Sequence, residues 1–439
     1  MSIRRAWLPS VQVLLAVTTA GLTIAACGSA SHGGVATGGD GGHGGDSGGG
    51  SSGGSSGGAG SSSGGGSSGA GSSGGSSSGV SGEGGAASPG TWVMGYYVSW
   101  RAPANGGNYG VSAIDWDGLT HVATAFYLPD GKGGWGSGSF DAATASSLIA
   151  AAHAKGKKVL ASIGGSGSGP AFEQSMQNAS SAFVTALEAL ITSGYDGIDI
   201  DWEGGSLSAT QDQALQTTLI AALRQKSPNI LITLTAGYEN ENSVDDLSWY
   251  GKVAPQLDRI NVMTYGMAGA YSGWQSWHSA PLHWNKVSST PTGIDATLGH
   301  YAAAGVPAKK LGLGIGFYGM CYTSPVTAPV QALGSSQVAA DDQTMTYPAI
   351  MAGYYSQSAY HYDATAAVPY LTLSGNNAQK CTYVTYDDPT SIAAKGAFVK
   401  AQGYGGAIIW EIGEGFVSSG STVQAQNPLL EATKTGFLQ

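Results

Sequence analysis

Positive charge is scarce in this chain: 18 Lys and Arg stand against 28 Asp and Glu in 439 residues, a net charge of −10. Outside the first few residues the cations form no run, so no surface for a polyanion is built and nucleic acid is excluded as a partner. Cysteine is nearly absent, with only Cys27, Cys321 and Cys381. If Cys27 belongs to a leader, the folded part of an exported protein holds two, either as one disulfide or as two free core thiols. No His pair or second acidic cluster stands at ligand spacing, which argues against a resident metal or cofactor. The run "GIGFYG" at 314–319 fits G-x-G-x-x-G, but it sits inside an apolar strand-like segment with no helix opening after it, so a dinucleotide site is excluded too. No internal repeat is evident.

Residues 28–90 lack any apolar periodicity. They are almost wholly Gly and Ser and cannot repay the entropy of ordering. A flexible tether is expected there, with a reach of roughly 40–45 Å. Residues 1–27 precede it: Arg4 and Arg5, an apolar run, then Ile24-Ala25-Ala26-Cys27. This is the layout of an export signal. Its ending resembles the bacterial lipoprotein box, in which the cysteine becomes the lipidated first residue. An ordinary signal peptide cut nearby and an uncleaved anchor interrupted by Pro9 are the alternatives. The expectation is an exported protein, either lipid-anchored through Cys27 to the envelope or secreted, with no other membrane contact.

What is present from residue 91 onward is a series of eight apolar, β-rich segments, at 92–100, 119–128, 157–165, 197–203, 230–238, 258–266, 310–319 and 406–415. Helical patterns lie between several of them, at 141–155, 180–193 and 208–226. The first two end at Gly156 and Gly194, and the third stops before Ser227-Pro228, all helix-stop signals. Strand–helix alternation with strands apolar on both faces predicts a parallel sheet covered by helices. Eight such strands fit a (β/α)₈ barrel. The gap before the last strand exceeds one helix and loop, and a small α+β insertion is expected over about 319–385. The folded domain is expected to span 91–439 and to act as a monomer.

The fourth segment, "GYDGIDIDWEG" at 194–204, carries the chemistry. Side chains alternate along a strand, so Asp199, Asp201 and Glu203 share one face while Ile198, Ile200 and Trp202 share the other. The apolar face suits the helix layer, which turns the acids into the barrel. Active sites of such barrels lie at the C-terminal ends of the strands. Glu203 therefore reaches the mouth, with Asp201 and then Asp199 beneath it. Like charges packed so closely retain a proton near neutral pH, which suits Glu203 to general acid work. Asp196 has the opposite parity and reads as structural. His153, flanked by alanines, reads as a helix-face residue.

"DGIDIDWE" fits D-x-x-D-x-D-x-E and resembles the signature of glycoside hydrolase family 18, the chitinases and their relatives. "SIGG" (162–165), "MTY" (263–265), Trp410 in "AIIWEI", "GYY" (95–97) and Ala125-Phe126 resemble further family marks, in the family's order. The resemblance implies a chitinase cleaving β-1,4-linked N-acetylglucosamine with retention. Glu203 would donate the proton, and the substrate's own 2-acetamido oxygen would be the nucleophile through an oxazolinium intermediate. It also implies that Asp201 orients the acetamido N–H, that Tyr265 holds its carbonyl and that Asp199 and Ser162 tune Asp201. Trp410 would floor the sugar. Tyr96, Ser162, Phe126, Met263, Trp274 and Trp277 complete the expected substrate-binding set, although core packing is an equal reading of either Trp274 or Trp277. The family usually has Asp after M-x-Y, where this chain has Gly266. An endo-β-N-acetylglucosaminidase on N-glycans and a chitin-binding lectin-like surface protein are the competing functions.

Overall fold

The computed structural model describes residues 90–439 apart from 243, 287, 288, 291 and 341. The expected export signal, the Gly/Ser tether and Cys27 lie outside the described residues. Seven strands come first: β1 (Trp92–Val98), β2 (His121–Tyr127), β3 (Lys158–Gly165), β4 (Gly197–Trp202), β5 (Leu231–Ala236), β6 (Arg259–Val262) and β7 (Leu311–Gly316). An insertion then supplies β8 (Met320–Thr323), β9 (Val338–Ala340), β10 (Tyr360–Asp363), β11 (Val368–Thr372) and β12 (Cys381–Thr385), and β13 (Gly406–Trp410) returns to the sheet. β1 to β7 and β13 close into a parallel barrel in the order β1-β13-β7-β6-β5-β4-β3-β2. The insertion strands form a separate antiparallel sheet ordered β10-β11-β12-β8-β9. The fold is the (β/α)₈ barrel with an α+β module between its last two strands.

Strand parity sorts the core into two layers. Val93, Val122, Val159, Ile198, Ile200, Ile232, Leu234, Ile260, Leu313 and Ile409 face the helices. Met94, Tyr96, Ala123, Leu160 and Ile408 face inward, joined near the mouth by Tyr265, Phe126 and Trp410. The helices are α1 (Ala142–Ala154), α2 (Gly169–Asn178), α3 (Ser180–Thr192), α4 (Ala209–Lys226), α5 (Ser248–Val253), α6 (Ile294–Ala303), α7 (Tyr347–Gly353), α8 (Pro389–Gln402), α9 (Val423–Gln426) and α10 (Pro428–Thr433). Their ends have chemical causes. Asp141 caps α1 by accepting from the Thr144 amide at 2.8 Å, and Ser208 with Gln211 makes a capping box on α4. Asp196 sits below β4, bound by Lys158 (2.7 Å), His153 (2.8 Å) and the Val159 amide (2.8 Å), which ties α1 and β3 to the barrel's lower rim.

Cys321 on β8 and Cys381 on β12 are joined as a disulfide with Cα atoms 5.4 Å apart and a sequence separation of 60. Both are fully buried. Closing a loop of that length removes denatured-state entropy worth about 4 kcal/mol in the chain-entropy treatment. The Cys321→Ser/Cys381→Ser protein is expected to unfold at lower denaturant, with about 2–4 kcal/mol less stability. An unchanged midpoint and slope in urea titrations would mean that the bridge constrains nothing.

Candidate active site

Register places the polar residues before any side chain is considered. Asp199 on β4 pairs with Ser162 on β3 and Thr233 on β5, while Asp201 pairs with Gly164. The side chains of Asp199, Asp201, Ser162 and Thr233 point inward at the middle of the barrel, beneath the C-terminal rim. Asp199 is wholly buried and accepts four hydrogen bonds. Tyr96 Oη (2.9 Å) and Ser162 Oγ (2.7 Å) donate to Oδ2; Asn261 Nδ2 (2.9 Å) and the Thr233 hydroxyl donate to Oδ1. Burial raises the carboxyl above its ordinary range, and these donors pull the other way. Each of these donors favours the ionised form of Asp199, against the burial that raises it.

Asp201 lies one step higher, 3% exposed, and accepts from Thr235 Oγ1 at 2.6 Å. Burial holds it well above the usual carboxylate range, and the nearby charges of Glu203 and Asp199 add to that. The column therefore keeps a proton in its upper part. Glu203 follows the last residue of β4 and is half-buried at the mouth. Its backbone is held by α2, whose Gly169 amide donates to the Glu203 carbonyl at 2.9 Å. Gly164 lets β3 and β4 come this close: it has φ +114°, and a Cβ there would meet the Asp201 carbonyl oxygen at 2.1 Å.

Tyr265 stands just past β6, packed with Tyr96 in the inner layer and edge-on to Tyr318 at 6.2 Å. Met263 is half-buried against the same cluster. Trp410 ends β13 and forms the centre of an aromatic wall. Phe126 stacks on it at 5.5 Å and 22°, Tyr96 lies at 5.5 Å and Trp100 at 6.3 Å. Its indole N–H donates to Asp342 Oδ2 of the insertion at 3.2 Å. Gly266, where the family usually has Asp, takes φ +62°.

Burial takes three residues, Trp277, Ser162 and Tyr96, out of the expected substrate-binding set, while Ser162 keeps its expected place in the acid column. Trp277 is fully buried, with its N–H on the Thr292 carbonyl at 3.0 Å and its ring against Ala268, Ala366 and Val368. It packs the insertion onto the barrel and cannot stack on a sugar. Ser162 and Tyr96 are 0% and 1% exposed and spend their hydroxyls on Asp199, so they support the acid column and do not face substrate. Trp274 is half-buried beside the exposed Tyr271 (ring centroids 4.9 Å apart) at a surface cavity of about 880 Å³ that also includes Gln275, Leu333 and Ser336.

The structure adds residues that motif reasoning passed over. Trp100, 41% exposed, extends the Trp410 wall outward. An exposed Trp just past a barrel strand is itself a signal, and it stood in view at the end of the first segment. Beneath the wall Arg101 binds Glu411 at 3.0 Å and Glu414 at 3.1 Å, both buried. Burial pushes Glu411 up to about 7 against the pull of Arg101. Among the described residues no group of three His, Cys, Asp or Glu side chains is arranged to hold a metal.

Comparison with known proteins agrees with this geometry. A family model described as glycosyl hydrolases family 18 matches residues 92–415. Chitinase A1 of Niallia circulans is 30% identical over 259 residues, 52% of this chain and 36% of that protein. Chitotriosidase-1 of Mus musculus is 30% identical over 248 residues, 52% of this chain and 51% of that protein. The chain thus spans about a third to a half of the length of these relatives. Among solved structures, a Group IV chitinase of Ostrinia furnacalis in complex with allosamidin superposes with a TM-score of 0.65 at 23% identity, covering 79% of this chain and 98% of that one. A chitinase of Rhizomucor miehei does so with 0.64 at 23% identity, covering 78% and 99%. A barrel of this topology, an acid column at its mouth and a family match over almost the whole described region make this chain a member of glycosyl hydrolase family 18.

Proposed function

We propose that the chain is a chitinase that hydrolyses β-1,4-linked N-acetylglucosamine polymers with retention, using the substrate's own acetamido group as nucleophile. The observation that carries this reading is the graded column of Glu203, Asp201 and Asp199 beside the Trp410 wall. Glu203, at the mouth, gives its proton to the glycosidic oxygen as the bond to C1 breaks. The acetamido oxygen then bonds to C1 and forms the oxazolinium. Asp201 receives the acetamido N–H and balances the positive charge, while the Tyr265 hydroxyl donates to the acetamido oxygen. Water next attacks C1 as Glu203 takes its proton back, restoring both the acid and the configuration at C1. Asp199, saturated by donors, stays ionised and keeps the shared proton in the upper part of the column. A flat indole at Trp410 suits the apolar face of a pyranose, and Phe126 and Trp100 prolong that surface. The protein is exported, with a lipid on Cys27 or simple release as the two modes.

Incubation with colloidal chitin and, separately, with a high-mannose glycoprotein tests this directly. Soluble N-acetylglucosamine oligomers with β configuration at first release are expected from chitin. Release from the glycoprotein alone would make the enzyme an endo-β-N-acetylglucosaminidase. Binding of chitin without hydrolysis would make the protein a lectin.

A further inference from the structure

One helix holds the segment that carries Glu203. Ser168, just ahead of α2, donates its hydroxyl to the Asp201 carbonyl at 3.2 Å, and the Gly169 amide donates to the Glu203 carbonyl at 2.9 Å. A Cβ at Gly169 would lie 1.7 Å from the Gly204 carbonyl oxygen, so helix and loop touch backbone to backbone. Phe172 stacks on Trp202 at 4.5 Å and 11°. Glu173, 3% exposed, completes the grip: Oε1 accepts from the amides of Ser206 (2.6 Å) and Leu207 (3.1 Å), and Oε2 from the Ser206 hydroxyl. Asp212, in the first turn of α4, brings its carboxyl to the same spot: a Cβ at Gly205 would lie 2.1 Å from Asp212 Oδ2 and 2.6 Å from Glu173 Oε1, so the two acids face each other across the loop backbone. Two carboxyl groups bond to each other only when one keeps its proton.

We propose that Glu173 and Asp212 are positioning residues, an acid–carboxylate pair that latches the loop leaving β4 and so fixes the height and direction of Glu203. The proposal rests on the reading of Glu203 as the proton donor. Asp212 holds the shared proton and donates it; Glu173 is the carboxylate that receives it together with the three loop donors. Burial and the charge of Glu173 push Asp212 up to about 6, while hydrogen bonds to Ser206 and Leu207 outweigh burial and lower Glu173. Among the described residues no cation forms an ion pair with either acid; the loop 130–134, whose Gly131 packs on Gln174 of α2, carries Asp130 and Lys132. The loop 204–208 has no ionisable residue, and α3, which packs on α2 and α4, has only Glu188 near its far end. The cations of α4, Arg224 and Lys226, are in its last turn. Glu203 itself is the remaining charge at the end of β4. Above about pH 6 the pair becomes two touching carboxylates, and the latch loosens.

The test compares Asp212→Ala and Asp212→Asn in the full chain, and follows amide hydrogen exchange at Ser206 and Leu207 from pH 4.5 to 8. Asp212→Ala is expected to lower kcat about 10- to 100-fold with KM within about twofold, the cost of a misplaced catalytic group. Asp212→Asn restores most of that loss, because its amide donates to Glu173 and has no proton to lose. In the parent protein, protection of the two amides, corrected for intrinsic exchange, falls about tenfold above pH 6; in Asp212→Asn it stays flat. An Asn variant as impaired as the Ala variant, or protection that ignores pH in the parent, would overturn the latch. So would a gain of protection on adding calcium, which would make the pair a cation site. The exchange series is repeated in Glu203→Gln, where it does not depend on catalysis. Retained activity in that variant removes the proton-donor reading alone, and flat exchange removes the latch alone.

Discussion

Glu203→Gln is expected to lower kcat on N-acetylglucosamine hexamer by about 10³-fold, within the range that a positioned general acid contributes, while oligomer affinity changes by less than about threefold. Gln keeps the shape of Glu and its hydrogen-bonding oxygen but has no proton to give. The backbone at 203 remains fixed by the Gly169 amide, and the Trp410, Phe126 and Trp100 surface is untouched. A loss confined to the chemical step lowers kcat and kcat/KM together, which separates it from a loss of uniform binding. Removing the Glu203 charge also relieves Asp201, whose upward shift has Glu203 as its second cause after burial. The variant should therefore be no less stable than the parent at neutral pH. Single-turnover kinetics with binding measured by calorimetry decide the matter. Turnover near the parent's would refute the assignment of Glu203, and a loss of binding equal to the loss of kcat would make it a ground-state contact.

The acid column was legible in the sequence because strand parity is a two-residue rule that depends on nothing distant. Ile198 and Ile200 had to face the helices, and that alone turned Asp199 and Asp201 inward. The eight strands and the extra module were legible for a related reason: apolar runs bounded by Gly and capping residues are local signals. Helix α2 carries only a weak pattern in sequence. Phe172 and Met176 are its buried large apolar residues, and Gly169-Pro170 opens it. The Glu173–Asp212 contact had no sequence signal, since 39 positions separate two unremarkable acids that meet only when α2 and α4 flank β4. Trp277 and Trp274 show the opposite limit. Both stand in one polar loop three residues apart, and only the chain that returns as the insertion, bringing Ala366 and Val368, decides that Trp277 is core.

Asp201→Asn should separate activity from stability, which makes it the sharper test of the column. Asp201 is buried and accepts from Thr235 Oγ1 at 2.6 Å, and burial, Glu203 and Asp199 together hold its proton well above the ordinary carboxylate range. A carboxyl whose folded pKa is raised weakens the fold as pH climbs. The unfolded chain ionises from about pH 3.9, while the folded chain resists until its higher value is passed. Asn removes that penalty and still accepts from Thr235. The variant is expected to melt at the same or a higher temperature than the parent at pH 7, with the difference vanishing below about pH 4. Activity should move the other way. Without a carboxylate to receive the acetamido N–H and balance the oxazolinium charge, kcat should fall about 10²- to 10³-fold, the scale measured for removing one electrostatic stabiliser. The alkaline limb of kcat/KM should also move to lower pH, because a pair that shares protons has become a single group. A function that strains the fold predicts this opposition of gain and loss. Scanning calorimetry at pH 4 and 7, beside pH–rate profiles on the hexamer, reads both halves. A variant that loses stability at pH 7 as well as activity would show that Asp201 is a structural acid and that the catalytic role assigned to it is wrong.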